Sequence, residues 1–115
     1  MSGNAEFEAV FEARLRKSRG PITVFLRATQ NNEPRIGLSV GRKYGNAVVR
    51  GRFKRMMREV FRHHRFELPT PSCGGAYDIV VTTRRHDAMT IDSYSDFFME
   101  AVQAAHRTYE KRVEQ

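Results

Sequence analysis

Between Ala47 and Arg65 the chain reads as one long two-sided helix, and this segment limits every fold the rest can adopt. At about 100° per residue, Val49, Phe53, Met56, Met57, Val60 and Phe61 fall on one face. Lys54, Arg55, Arg58, Arg62 and Arg65 fall on the opposite face, and Arg50 and Arg52 flank the apolar stripe near its start. Such a stripe has to be covered by a second layer, while the cations must stay in water or meet anions. Asn46 stands where an N-cap is expected. Arg42-Lys43-Tyr44-Gly45-Asn46 reads as a loop leading into the helix, and the Gly45-Asn46 pair tolerates positive φ.

The covering layer is legible as strands. Ile22 to Thr29 alternates, with Ile22, Val24 and Leu26 on one side and Thr23, Phe25 and Arg27 on the other. Asn31-Asn32-Glu33-Pro34 is a turn, and Arg35 to Gly41 is a second strand with Ile36, Leu38 and Val40 on one side. Leu68 to Gly75 is a loop. Tyr77 to Thr83 has a nearly continuous apolar centre, which predicts an interior strand. Glu6 to Arg16 is a short helix on Phe7, Val10, Phe11 and Leu15, ended by Arg19-Gly20-Pro21. Ser93-Tyr94-Ser95-Asp96 forms a capping box for a last helix carrying Tyr94, Phe97, Phe98, Ala101, Val102, Ala105 and Tyr109 on one stripe. The order is helix, strand, strand, helix, strand, helix, an α+β fold in one small domain over residues 1–115. A short extra strand near Lys17 to Arg19 is only weakly marked.

With 115 residues a single domain is expected. The net charge is +7, and it is concentrated. From Arg42 to Arg65 there are nine basic residues against one acid, Glu59, so this window carries +8 and the rest of the chain −1. Arginine outnumbers lysine 16 to 4, and only the planar guanidinium both forks onto phosphate and stacks on bases. A solvated face that merely aids solubility is the bland alternative. Like charges packed so closely repel unless something neutralises them, which favours a polyphosphate partner. No apolar run reaches the ~20 residues of a membrane span. The start, Met1-Ser2-Gly3-Asn4-Ala5-Glu6, has no signal pattern. One cysteine supplies neither an internal disulfide nor a Cys-based zinc site. A cytoplasmic protein with Cys73 as a free thiol is therefore expected.

Signals for catalysis are weak and signals for binding are strong. His63 and His64 are adjacent and diverge on a helix, His86 and His106 stand alone, and Asp78, Asp87, Asp92 and Asp96 match no metal-loop spacing. No metal ligand is assignable. By contrast, Gly41 to Asn46 feeds a helix N-terminus, whose free amides and partial positive charge favour phosphate. Arg50, Arg52, Lys54 and Arg55 follow within two turns. A second candidate surface is aromatic: Phe25 and Arg27 project together from one strand face, and Phe7 and Phe11 lie one turn apart. Exposed rings stack on bases at ~1–3 kcal/mol each. The competing reading of Phe7 and Phe11 is a core stripe. Phe53, Phe61, Phe97 and Phe98 are better explained as core.

The stretch Arg35-Ile36-Gly37-Leu38-Ser39-Val40-Gly41-Arg42-Lys43-Tyr44-Gly45-Asn46-Ala47-Val48-Val49-Arg50-Gly51-Arg52-Phe53-Lys54-Arg55-Met56-Met57-Arg58-Glu59 closely resembles the signature of the bacterial ribonuclease P protein subunit. Asp78-Ile79-Val80-Val81 with Arg84, and the Phe7-x-x-x-Phe11 pair, resemble flanking family features. The resemblance implies a protein that binds a catalytic RNA subunit and the 5′ leader of precursor tRNA, in an enzyme that removes that leader. The hydrolysis itself would be carried out by RNA, with Mg2+ held mainly by the RNA and the substrate, and no catalytic residue is expected in the protein. Carried over by position, Arg42, Lys43, Asn46, Arg50, Arg52, Lys54, Arg55 and Arg58 would meet the RNA subunit. Phe7, Phe11, Phe25 and Arg27 would border the leader groove. The resemblance also implies a left-handed crossover of two parallel strands around the central helix, against the usual hand. No membrane or small-molecule partner is implied, and outside the holoenzyme the protein is expected to be monomeric.

Two departures from the pattern stand out. Gly51 replaces the Asn of the family's Arg-Asn-Arg, removing an amide side chain and costing roughly 1 kcal/mol in a helix. The chain also begins close to Phe7, without the longer basic arm common in relatives, so contacts from such an arm are not assumed. Two other functions compete. A non-catalytic RNA-binding module of the ribosome or its assembly would share the basic helix but would not stimulate precursor processing. A protein-only nuclease using His63 or His86 would cleave without RNA.

Overall fold

In the computed structural model, which describes residue 1 and residues 3–114, helix α1 (Asn4–Glu12) leads into strands β1 (Arg16–Arg19), β2 (Ile22–Thr29) and β3 (Arg35–Ser39). A 3-10 turn (Arg42–Tyr44) then opens helix α2 (Ala47–His64), followed by β4 (Ala76–Thr83) and helix α3 (Ile91–Glu114). The strands form one mixed sheet in the order β1-β2-β4-β3. β1 with β2 and β2 with β4 pair antiparallel, whereas β3 and β4 pair parallel and are joined through α2. β4 is interior, with Ala76 to Val81 all buried, as its apolar run predicts.

Alternation decides the two faces of the sheet. Ile22, Val24 and Leu26 of β2 and Tyr77, Ile79 and Val81 of β4 face α2 and α3. There they meet Phe53, Met57 and Val60 of α2 and Tyr94, Phe98, Ala101 and Val102 of α3, all nearly inaccessible to water. Burial of each large side chain contributes about 1.5–3 kcal/mol before entropy is counted, so this layer is the main source of stability. The opposite face carries Phe25, Asp78, Val80 and Gly37 and is partly covered by α1. No helix among the described residues is long and apolar enough to cross a membrane.

Several expected boundaries move, for local reasons. α1 stops at Glu12 rather than near Arg16, because Arg14 takes a positive φ of 52° and the chain turns into the sheet. The Leu15 carbonyl already accepts from Leu26 N–H at 2.9 Å, so Leu15 enters the core from the sheet side rather than from the α1 stripe. The weakly marked extra strand is real, and Gly20-Pro21 is its hairpin turn into β2, not a helix stop. Gly20 has φ 55°, and a Cβ there would lie 2.6 Å from the Phe97 ring. α3 begins at Ile91, with Thr90 as its cap: Thr90 Oγ1 accepts from Ser93 N–H at 3.2 Å, so Ser93 is inside the helix rather than capping it.

Candidate nucleic-acid interface

The first surface grows from the start of α2. Asn46 Oδ1 accepts from Val49 N–H at 3.0 Å, satisfying one orphan amide and aligning the helix. The amides of Ala47 and Val48 have no partner within the helix, by helix geometry. Neither residue of the Gly45-Asn46 pair enters the left-handed region; with φ of 164° and −73° both are in extended backbone. Arg50 is half-buried and donates from Nε to the Gly45 carbonyl at 3.1 Å, bracing the loop from inside the helix. Asn46 and Arg50 therefore build the helix entry, while Arg42 and Lys43 stand exposed on the turn before it.

From this entry the basic residues divide between two concavities. Lys54, Arg55 and Arg58 line a shallow groove of about 450 Å³ with Ala47, Val48 and Gly51. Gly51 forms its open floor, because a Cβ there would have no heavy atom within 4 Å. Arg52 lies on the other flank, in a cleft of about 440 Å³ with Tyr44, Val49, Phe53, Met56 and the loop Arg85–Ala88. Val49, assigned to the apolar stripe by its spacing, rims this cleft at 37% exposure, and Val48 is 67% exposed. Farther along α2 the free charge ends: Arg62 pairs with Glu59 and Arg65 with Glu33.

The sequence pattern does not mark Arg85. Its signal was topological: parallel β3 and β4 end at the same sheet edge, so the segments after them meet. His86 pins that loop. Its Nδ1 lies 2.8 Å from the Arg84 carbonyl, which only accepts, so Nδ1 carries the proton and Nε2 accepts from the Tyr94 hydroxyl at 2.7 Å. The other histidines are held apart, His63 near Glu59, His64 on Glu67 and Ser95, and His106 on Tyr77.

The second surface is the α1 face of the sheet. Phe11 meets Phe25 edge to face, with centroids 4.8 Å apart and planes at 85°. Phe7 lies on Gly37, where a Cβ would come within 2.5 Å of the ring, so only glycine lets α1 approach so closely. Phe7, Phe11 and Phe25 are each half-buried; Phe11 and Phe25 pack on one another and all three keep accessible edges. Arg27 is exposed and reaches Asp78 at 4.0 Å. Asp78, a scattered carboxylate by sequence, is 1% exposed and accepts a fork from Arg35, Nε to Oδ1 at 2.8 Å and Nη2 to Oδ2 at 2.7 Å. Those bonds hold the Arg35 guanidinium above its ordinary pKa, with burial opposing. Arg35 Nη1 also lies 3.5 Å from Glu6 on α1, so one arginine ties the helix to the sheet.

The two surfaces are contiguous through β3, which carries Arg35 and Gly37 on the α1 face and then runs into the basic turn and α2. A family model described as Ribonuclease P matches residues 1–109. The chain belongs to the Ribonuclease P family. A ribonuclease P protein component from Desulfovibrio desulfuricans is 41% identical over 83 residues, covering 70% of this chain and 60% of that protein. The chain thus spans about three fifths of that curated relative. The RNase P protein of Staphylococcus aureus superposes with TM-score 0.72 at 27% identity, covering 91% of this chain and 93% of that one. The Thermotoga maritima RNase P protein shares the fold, with TM-score 0.72 at 24% identity over 93% of this chain and 94% of that one.

Proposed function

We propose that this chain is the protein subunit of ribonuclease P, binding a catalytic RNA subunit through α2 and the 5′ leader of precursor tRNA on the α1 face of the sheet. The carrying observation is that exposed cations cluster along the first part of α2 and its entry turn, beside a sheet face with aromatic edges. Arg42, Lys43, Arg52, Lys54, Arg55 and Arg58 supply movable guanidinium and ammonium groups. Asn46 and Arg50 act mainly by holding the helix entry in place. Cations there screen repulsion between two RNA chains and favour occupancy of RNA-bound Mg2+. That ion would be held by RNA and substrate. Glu59 is committed to Arg62 and Asp78 to Arg35. No group of three or more His, Cys, Asp or Glu suited to a metal lies among the described residues.

Phe7, Phe11, Phe25 and Arg27 contact the leader. Stacking edges and a guanidinium tolerate any base, which suits an enzyme with many precursors. A ribosomal RNA-binding role would use the same helix but gives no reason for the aromatic sheet face, so it is the less favoured reading. The test is a filter-binding titration of Arg52→Ala with Arg55→Ala against ribonuclease P RNA over a range of salt. Affinity should fall, and the slope of log K against log salt should flatten by about one to two units. Unchanged affinity and slope would refute the assignment of α2.

A further inference from the structure

We infer that a row of four hydroxyls crossing the sheet, Ser18, Thr23, Thr82 and Ser39, binds the ribose-phosphate backbone of single-stranded RNA beside the aromatic patch. This rests on the reading of the α1 face as the leader surface. The strand register creates the row: Ser18 lies opposite Thr23, Thr23 opposite Thr82, and Thr82 opposite Ser39. All four share a face with Phe25, by alternation. The 2.7 Å contact between Ser18 Oγ and Thr23 Oγ1 fixes that side for the first pair. The row extends over three inter-strand gaps, roughly 14 Å, and lies about 7 Å along the strands from Phe25.

Its surroundings point to the ligand. The next row holds Arg16, Phe25, Val80 and Gly37, and the row beyond holds Arg27, Asp78 and Arg35. α1 sits on those two rows, through Phe7 at Gly37, Phe11 at Phe25 and Glu6 at Arg35. The hydroxyl row remains half-buried or exposed. Among the described residues no hydrogen bond engages the Thr82 or Ser39 hydroxyl, whereas the neighbouring Thr83 hydroxyl donates to the Pro21 carbonyl at 3.1 Å. β4 and β3 run the same way and leave the sheet past this row, into Arg84 and into Arg42-Lys43, all exposed. The hydroxyls thus lie between a stacking patch and the cations of the strand exits, Arg84, Arg42 and Lys43.

A hydroxyl both donates and accepts, so it serves a phosphate oxygen or a ribose 2′-hydroxyl but distinguishes bases poorly. A row of them reads the 2′-hydroxyl and hence RNA against DNA. A strand whose base stacks on Phe25 places its neighbouring sugar and phosphate within reach of Thr23 and Thr82, with the cations beyond.

The experiment uses the assembled holoenzyme and two precursors, one with a ribose leader and one with a 2′-deoxy leader. The unmodified protein should bind the ribose leader about tenfold more tightly, as two hydrogen bonds of ordinary net strength imply. Thr23→Val with Thr82→Val keeps shape and strand propensity and should bring that ratio close to one. Ser39→Ala should lower the ratio by a smaller factor and carries the test if the double variant melts early. A ratio near one for the unmodified protein, or a ratio untouched by these variants, overturns the proposal. Phe25→Ala separates the two levels. If it weakens precursor binding while the hydroxyl variants do nothing, only the row is wrong. If neither changes precursor binding, the leader surface itself is wrong.

Discussion

Asp78 is the clearest case of a residue whose role its neighbours in sequence conceal. The Asp78-Ile79-Val80 run gives a strand, and a carboxylate in the middle of a buried strand has to be matched by charge. The match comes from Arg35, 43 positions earlier, brought opposite by the parallel pairing. Asp78→Asn keeps the shape and removes the charge, leaving Arg35 half-paired. It should lower stability by about 1–3 kcal/mol, the partial exposure of Arg35 softening the loss. A urea midpoint equal to that of the unmodified protein would contradict this. Gly51 works in the other direction. With open space where its Cβ would stand, Gly51→Ala should stabilise α2 by about 0.5–1 kcal/mol. A lower melting temperature would mean that the exposed groove needs a glycine for reasons of fold.

At the scale of elements, the long periodic segments were legible and the short junctions were not. α2 and β2 follow from spacing alone because each buries one face, and a one-residue slip would expose it. The end of α1 is ambiguous in the sequence because Leu15 satisfies both a helical stripe and a strand contact; only the hydrogen bond to Leu26 decides between them. The start of α3 is ambiguous in the sequence because Thr90 and Ser93 are both hydroxyl caps by type, and only the Ser93 N–H bond to Thr90 decides between them. At the candidate site, Arg52, Lys54, Arg55 and Arg58 were readable from charge and period. Arg85 and the Arg35–Asp78 fork were not, since both depend on which strands lie side by side.

The junction of α2 with α3 has a measurable pH signature. Tyr94 packs edge-on against Phe53 at 5.5 Å and bonds His86. Burial, with a further push from the Tyr44 hydroxyl, raises its phenol to about 12. In the unfolded chain a tyrosine titrates near 10. The folded value is the higher one, so this contribution to stability is intact below about pH 10 and is lost as pH rises toward 12. The denaturant midpoint should hold from pH 8 to 10 and then fall, and Tyr94→Phe should flatten part of that fall. A midpoint independent of pH over this range would show that Tyr94 is freely solvated.

The molecule as a whole separates its duties by face. α2 and α3 fill one side of the sheet with apolar contacts, which leaves the outer side of α2 free to carry charge. α1 covers only part of the other side, leaving aromatic edges and Arg27 accessible. The most direct measurement adds the purified protein to a bacterial ribonuclease P RNA at a magnesium concentration too low for the RNA to act alone, and follows cleavage of a precursor tRNA. Cleavage should appear only with both components present, producing the mature 5′ end. Cleavage by the protein alone, or RNA turnover indifferent to its addition, would contradict the account.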